Sequence, residues 1–127
     1  MKTLKLLALS TLAVFTPIKT AIITAFVLAL IDTALGILAA KKRGEEINSA
    51  GFRRSVVKIF VYEAAIMLGY LTETYLTGPE IPVDKIITGF VGLTEITSIV
   101  ENLNEITGTN LLGSLISKLG SQNALNK

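Results

Sequence analysis

Six carboxylates are the groups in this chain with chemical potential: Asp32, Glu63, Glu73, Glu95, Glu101 and Glu105. Paired acids can relay protons in general acid–base catalysis or hold a divalent cation. Nothing else that such chemistry needs accompanies them. The chain has no cysteine and no histidine, which excludes disulfides, thiolate chemistry and the usual zinc ligands. It has no glycine-rich phosphate loop and no nucleophile motif. The sequence therefore argues against an enzyme, and neither a cofactor nor a metal site is expected. Glu45, Glu46 and Glu80 read as ordinary solvated acids. Asp32 and Glu63 do not, because both lie inside apolar runs. A charge at a bilayer centre costs about 2.5–3.5 kcal/mol on insertion scales, so such groups are neutralised, paired or turned toward an aqueous cavity. Lys58 starts from the same basic loop as Asp32 and is a geometrically available partner. A structural pairing and a pore or packing role both stay open for Asp32.

The elements that position these acids are helices in lipid. Half of the 127 residues are hydrophobic and the mean hydropathy is +0.60. The apolar residues are gathered in runs, as a membrane helix requires. The expected architecture is a single all-α membrane domain over residues 1–127, with two to three transmembrane helices and amphipathic helices at each terminus. In lipid such a chain needs helices with internally satisfied backbones rather than a large apolar core. The net charge of +2 is too small to argue for nucleic acid, and none is expected as a partner.

Residues 1–16 contain a short apolar helix behind Lys2 and Lys5. The segment resembles the start of a signal peptide but lacks a small-x-small cleavage site after Phe15, and an uncleaved, interfacial or partly inserted helix is expected. Residues 17–40 form the strongest transmembrane candidate: Pro17 suits a first helical turn, and the run that follows covers roughly 30 Å at ~1.5 Å per residue. Residues 41–51 are a basic loop with turn residues at Gly44 and Asn48–Gly51. Lys41, Lys42, Arg43, Arg53, Arg54 and Lys58 cluster around it, which marks the cytoplasmic side. Residues 52–76 form a second span around Glu63, closed by Gly78, Pro79 and Pro82. The loop 77–82 carries no Lys or Arg and is expected outside. The N-terminus is then inside if the first helix spans, and outside if it lies at the interface.

Residues 83–107 read as a half-polar helix. Thr94, Glu95, Thr97, Ser98, Glu101, Asn102, Asn104 and Glu105 fall on about half the circumference, and Gly92, Leu93, Ile96, Ile99, Val100, Leu103 and Ile106 on the other half. Three readings are open: the helix lies flat on the membrane, packs its polar stripe inside the protomer, or lines a hole formed by several copies. Thr94, Ser98, Glu101 and Glu105 form one line for the last of these. Gly108 reads as a C-cap, residues 109–120 as a short amphipathic helix, and the tail from Ser121 as frayed. Gly36 with Ala40, and Ala64 and Ala65 with Gly69, are small residues that suit close helix packing.

The stretches Ile31–Lys42, Ile47–Phe52 and Val57–Ile59 resemble the toxin-secretion/phage-lysis holin family of bacteriophages. They reproduce an Asp followed by a Gly four residues on, a basic turn, a Ser near a second Gly, and a Lys at the start of the next helix. Glu95–Asn102 (EITSIVEN) is similar to the family's second signature, a Ser-Ile-x-Glu-Asn run before a final amphipathic helix. Together these cover most of residues 31–119 in order. The resemblance implies a phage protein of the bacterial inner membrane that has the lipid bilayer and copies of itself as partners. It also implies that the protein oligomerises and opens lesions through which an endolysin reaches the cell wall. Periodicity and spacing alone show only a polytopic helical protein with buried acids. They leave room for a non-pore scaffold, and for a small ion-channel subunit with Asp32 or Glu63 as its ion site.

Overall fold

A computed structural model describes the fold of residues 1–125 and the side chains of residues 1–121. The chain is all-α, with no strand among the described residues. Five α-helices follow one another: α1 Lys2–Val14, α2 Lys19–Lys42, α3 Ser49–Thr72, α4 Val83–Thr107 and α5 Leu111–Leu125. Two helical stretches, Thr16–Lys42 and Ser49–Thr77, are long and apolar enough to cross a membrane. α5 reaches further than the 109–120 segment read from sequence and takes in most of the tail expected to fray. Residues 126–127 lie outside the described residues.

Pro17 sits in a 3₁₀ turn, Thr16–Ile18, that separates α1 from α2, where its missing N–H breaks no ladder bond. α1 has no buried residue. α2 ends in Lys41 and Lys42, where the helix dipole favours cations. Asn48 starts α3, its Oδ1 accepting from the Gly51 N–H at 3.0 Å. The far end of α3 widens into a π-turn, Glu73–Thr77. That turn aims Glu73 at the next helix, and its Oε2 accepts from the Asp84 N–H at 2.9 Å. This caps the open N-terminus of α4, since Pro82 offers no side-chain acceptor. α4 stops at Gly108, whose φ of 70° and ψ of 17° are left-handed. The departure of α5 is then held by Asn104, whose Oδ1 accepts from the Leu111 N–H at 2.8 Å.

α2, α3 and α4 form the bundle, with α2 packed most extensively on α4 and α3 closing against both. α4 is bonded to Glu73 at one end and to Lys42 and Arg43 at the other. It therefore runs beside the two apolar helices over their full height. The core at the Pro17 end joins Ile18, Ala25, Ile66 and Val91, flanked by Phe15, Tyr62, Tyr70 and Ile87. The rings of Phe15 and Tyr70 are tilted at 57° with centroids 6.3 Å apart. On α2 the buried positions are Ala25, Ala29, Asp32 and Ala39, a seam of small residues that lets α4 approach closely.

Gly69 is the tightest of the small contacts. A Cβ there would stand 2.8 Å from Ile87 Cδ1 and 3.5 Å from the Asp84 Cα. Gly69→Ala should therefore cost about 1 kcal/mol and Gly69→Val more, while adding Ile87→Val should recover part of the loss. At Gly36 the nearest atom to an added Cβ is Asn102 Nδ2 at 3.7 Å, an ordinary contact, so Gly36→Ala should be close to neutral. Denaturant titrations in detergent micelles would rank these variants. Equal stability of Gly69→Val and Gly36→Ala would contradict this account.

Candidate functional site

Three helices meet at a buried charge cluster. Asp32 and Lys58 come from α2 and α3, one facing the other, and Glu95 comes from the middle of α4. Lys58 Nζ donates to Asp32 Oδ2 at 2.6 Å and to Glu95 Oε2 at 2.9 Å. Asn102, two turns further along α4, donates from Nδ2 to Asp32 Oδ1 at 3.0 Å. Both Asp32 oxygens are thereby occupied. Glu95 is only 1% exposed and is among the most deeply buried side chains. One ammonium bridges two carboxylates, and the amide completes the set. The cluster compensates charge buried between the helices, and it ties the three of them into one register.

The cluster was only half visible in the sequence. Asp32 and Lys58 stand out as charges in apolar runs. Glu95 and Asn102 read from sequence as members of one broad polar stripe, with Glu95 one acid among several. The signal that marks them is their spacing of seven, which puts both on the same line of α4. Lys58 is one of the loop cations and also the available partner of Asp32, and its ammonium points into the bundle to bond it.

The polar line Thr94–Ser98–Glu101–Glu105 is divided by the packing. Glu105 turns toward the basic loop, where Arg43 Nη1 donates to its Oε1 at 2.6 Å. Lys42 Nζ donates to the Glu105 and Ile106 carbonyls at 2.8 and 3.0 Å, covering the open C-terminal end of α4. Thr94 and Glu101 remain on the outside of the bundle, Ser98 is half-buried beside them, and Thr97 joins them. These four line one shallow groove with Phe90 and Leu93. Thr94 and Thr97 give their hydroxyl protons to the Phe90 and Leu93 carbonyls of their own helix at 2.9 and 2.8 Å. The apolar half expected to pack is also partly turned outward. Leu93 and Ile96 are exposed, and the inward positions are Val91 and Glu95. In a lipid-embedded bundle the apolar surface can face out, and the polar groups need the interior.

Glu63 has no such partner: both its carboxyl oxygens are covered, and neither has a hydrogen bond among the described residues. Gly36 and Gly69 serve contacts within the protomer, to Asn102 and to Ile87. Ala40 and Ala64 are half-buried. Lys41, Arg53 and Arg54 are exposed around the loop. No group of three metal-binding side chains occurs among the described residues.

In the loop, Arg43 Nε and Nη2 also donate to Glu45 at 2.7 and 3.0 Å. The bond to Arg43 holds the Glu45 carboxyl below its ordinary value, and the bonds to Glu45 and then Glu105 raise the Arg43 guanidinium. A depressed acid stabilises the fold above its unfolded pKa and loses that contribution as pH falls through its folded pKa. Acidification through the carboxylate range, roughly pH 5 to 3, should therefore release Glu45 from Arg43 within the loop. In Glu45→Gln the acid limb of an unfolding titration should be shallower. The difference will be small because the pair is solvent-exposed, and a steeper limb would contradict it.

The chain matches the sequence model described as the bacteriophage holin family over residues 10–121. No curated protein and no solved structure matches it.

Proposed function

From the premise that this chain belongs to the bacteriophage holin family, we propose that copies gather in the inner membrane of the bacterial host and open lesions through which an endolysin passes to the cell wall. The protein is a holin-type, helical membrane protein, and that family is non-enzymatic. The observation that carries the finer reading is the outward edge of α4. Glu95, Asn102 and Glu105 of this helix are bonded inside the protomer, but Glu101 is exposed beside Thr94 and Thr97 on its outward edge. An ionised carboxylate facing hydrocarbon is costly, and water in a hole removes that cost. Asp32 is a poor ion site, since both its oxygens are engaged. In this reading the basic loop between α2 and α3 is cytoplasmic, from the cluster of Lys and Arg around it.

The test is permeabilisation. Purified protein reconstituted in liposomes should release an entrapped dye, and induced expression in a bacterium should collapse the membrane potential abruptly after a delay. Sealed liposomes at high protein content would instead fit a lateral scaffold, and selective stepwise currents a small channel. Topology is tested separately, which the cysteine-free sequence makes simple. In intact cells an impermeant thiol reagent should label Thr77→Cys and spare Ser49→Cys.

A further inference from the structure

Between α2 and α3 the bundle is incompletely filled. Hollows adjoin one another along this seam: one at the basic loop shares Thr33, Phe52 and Ser55 with the next. That one shares Phe26, Val56 and Ile59 with a third, walled by Glu63. The third shares Ile22 and Ile23 with a fourth, at Phe15 and Lys19. They make one furrow from Ala40 to Lys19 on α2, about 30 Å at ~1.5 Å per residue. A ridge flanks it on α3, where Phe52, Val56 and Phe60 recur every four residues, each more than half exposed. Glu63 continues that ridge as its one acidic member, with both oxygens unpartnered.

We infer that this furrow receives a second copy of the chain, the α3 ridge of each copy lying in the furrow of the other, with the two Glu63 side chains meeting across the two-fold axis. The furrow spans the whole hydrocarbon layer, as a transmembrane helix does, whereas an acyl chain covers one leaflet, roughly half of that. A lipid tail leaves the Glu63 carboxyl without a partner. Copies inserted in the same orientation are related by an axis along the membrane normal, so a residue near that axis meets its own counterpart at the same depth. Rotation about the side-chain torsions of Glu63 brings the carboxyl into the furrow it already walls. There, with a proton on at least one of them, the two groups can hydrogen-bond to each other, and polar contacts of this kind hold membrane helices together. The outward edge of α4 takes no part in this contact and remains available to a hole.

This inference rests on the self-association in the functional reading and names its face. The test uses the full chain in liposomes, with one cysteine introduced at a time. Phe60→Cys should crosslink to a dimer under mild oxidation, and Leu93→Cys, exposed on α4, should do so several-fold less. In the Phe60→Cys background Glu63→Gln should keep the yield, because amides pair reciprocally, and Glu63→Leu should lower it about fivefold. Helix content and membrane-fraction yield check that each variant folds. Equal crosslinking at the two positions, or an unchanged yield in Glu63→Leu, would overturn the proposal. So would a Phe60→Cys yield that falls to the Leu93→Cys level on dilution with lipid, since a lipid chain would then fill the furrow. Dye release from the same liposomes separates the two readings. Sealed liposomes with strong crosslinking count against the lesion alone, and leaky liposomes without it count against this face alone.

Discussion

Replacing Lys58 by methionine is expected to cost about 3–5 kcal/mol of stability, the largest loss of any single substitution considered. The ammonium lies 2.6 Å from Asp32 and 2.9 Å from Glu95, and both acids are buried. Removing it strands two carboxylates in an environment without water, and the remaining Asn102 amide reaches only Asp32. Methionine fills a similar volume, so the loss reports charge rather than packing. Adding Asp32→Asn and Glu95→Gln to Lys58→Met should restore most of the stability, because neutral amides can bond to each other and nothing charged remains buried. Urea or SDS titration of the purified protein in micelles measures both. A Lys58→Met variant within 1 kcal/mol of the parent, or a triple variant no better than the single one, would mean that the cluster does not hold the helices in register.

How far the sequence revealed this arrangement depends on the rule being applied. The two apolar spans were legible from length and hydropathy, because a run long enough to cross hydrocarbon has few other uses. Asp32 and Lys58 were legible for the converse reason, as charges that lipid does not tolerate alone. α4 was misleading where its faces were divided by polarity. In water the apolar half of a helix packs inward and the polar half is solvated. Here Leu93 and Ile96 are exposed while Glu95 is buried. Between helices in lipid, small residues and hydrogen-bonding groups make the contact, and large apolar side chains face out at little cost. The same inversion explains Gly69, a small residue suited to close packing that serves a contact with Ile87 inside the protomer. Glu63 was visible as an intramembrane acid, but its lack of a partner is a fact of the packed bundle. No pattern in the sequence shows which of the several polar groups on neighbouring helices reach one another.

The outward edge of α4 carries the second large expectation. Thr94 and Thr97 already bond their own helix, so either can face lipid or water at little cost. Glu105 is held by Arg43. The burden therefore falls on Glu101, with Ser98 half-buried beside it. If copies assemble with this edge toward a hole, Glu101→Leu replaces a hydrated carboxylate by an apolar side chain on the wall. The variant should insert as well as the parent, or better, because a carboxylate in hydrocarbon costs about 2.5–3.5 kcal/mol at the centre and a leucine is favoured there. Its permeabilising activity should nonetheless fall about tenfold or more, since closed, lipid-compatible packing is then no worse than a water-filled hole. Ile96→Leu, an apolar exchange on the exposed surface of the same helix, is the control and should leave release unchanged. Glu101→Gln should lie between, because the amide is polar without being charged. The measurement is dye release per inserted protein, with insertion taken from the membrane fraction of each sample. If Glu101→Leu releases dye at the rate of Ile96→Leu, the edge does not line the hole, and the water must pass along another face of the bundle.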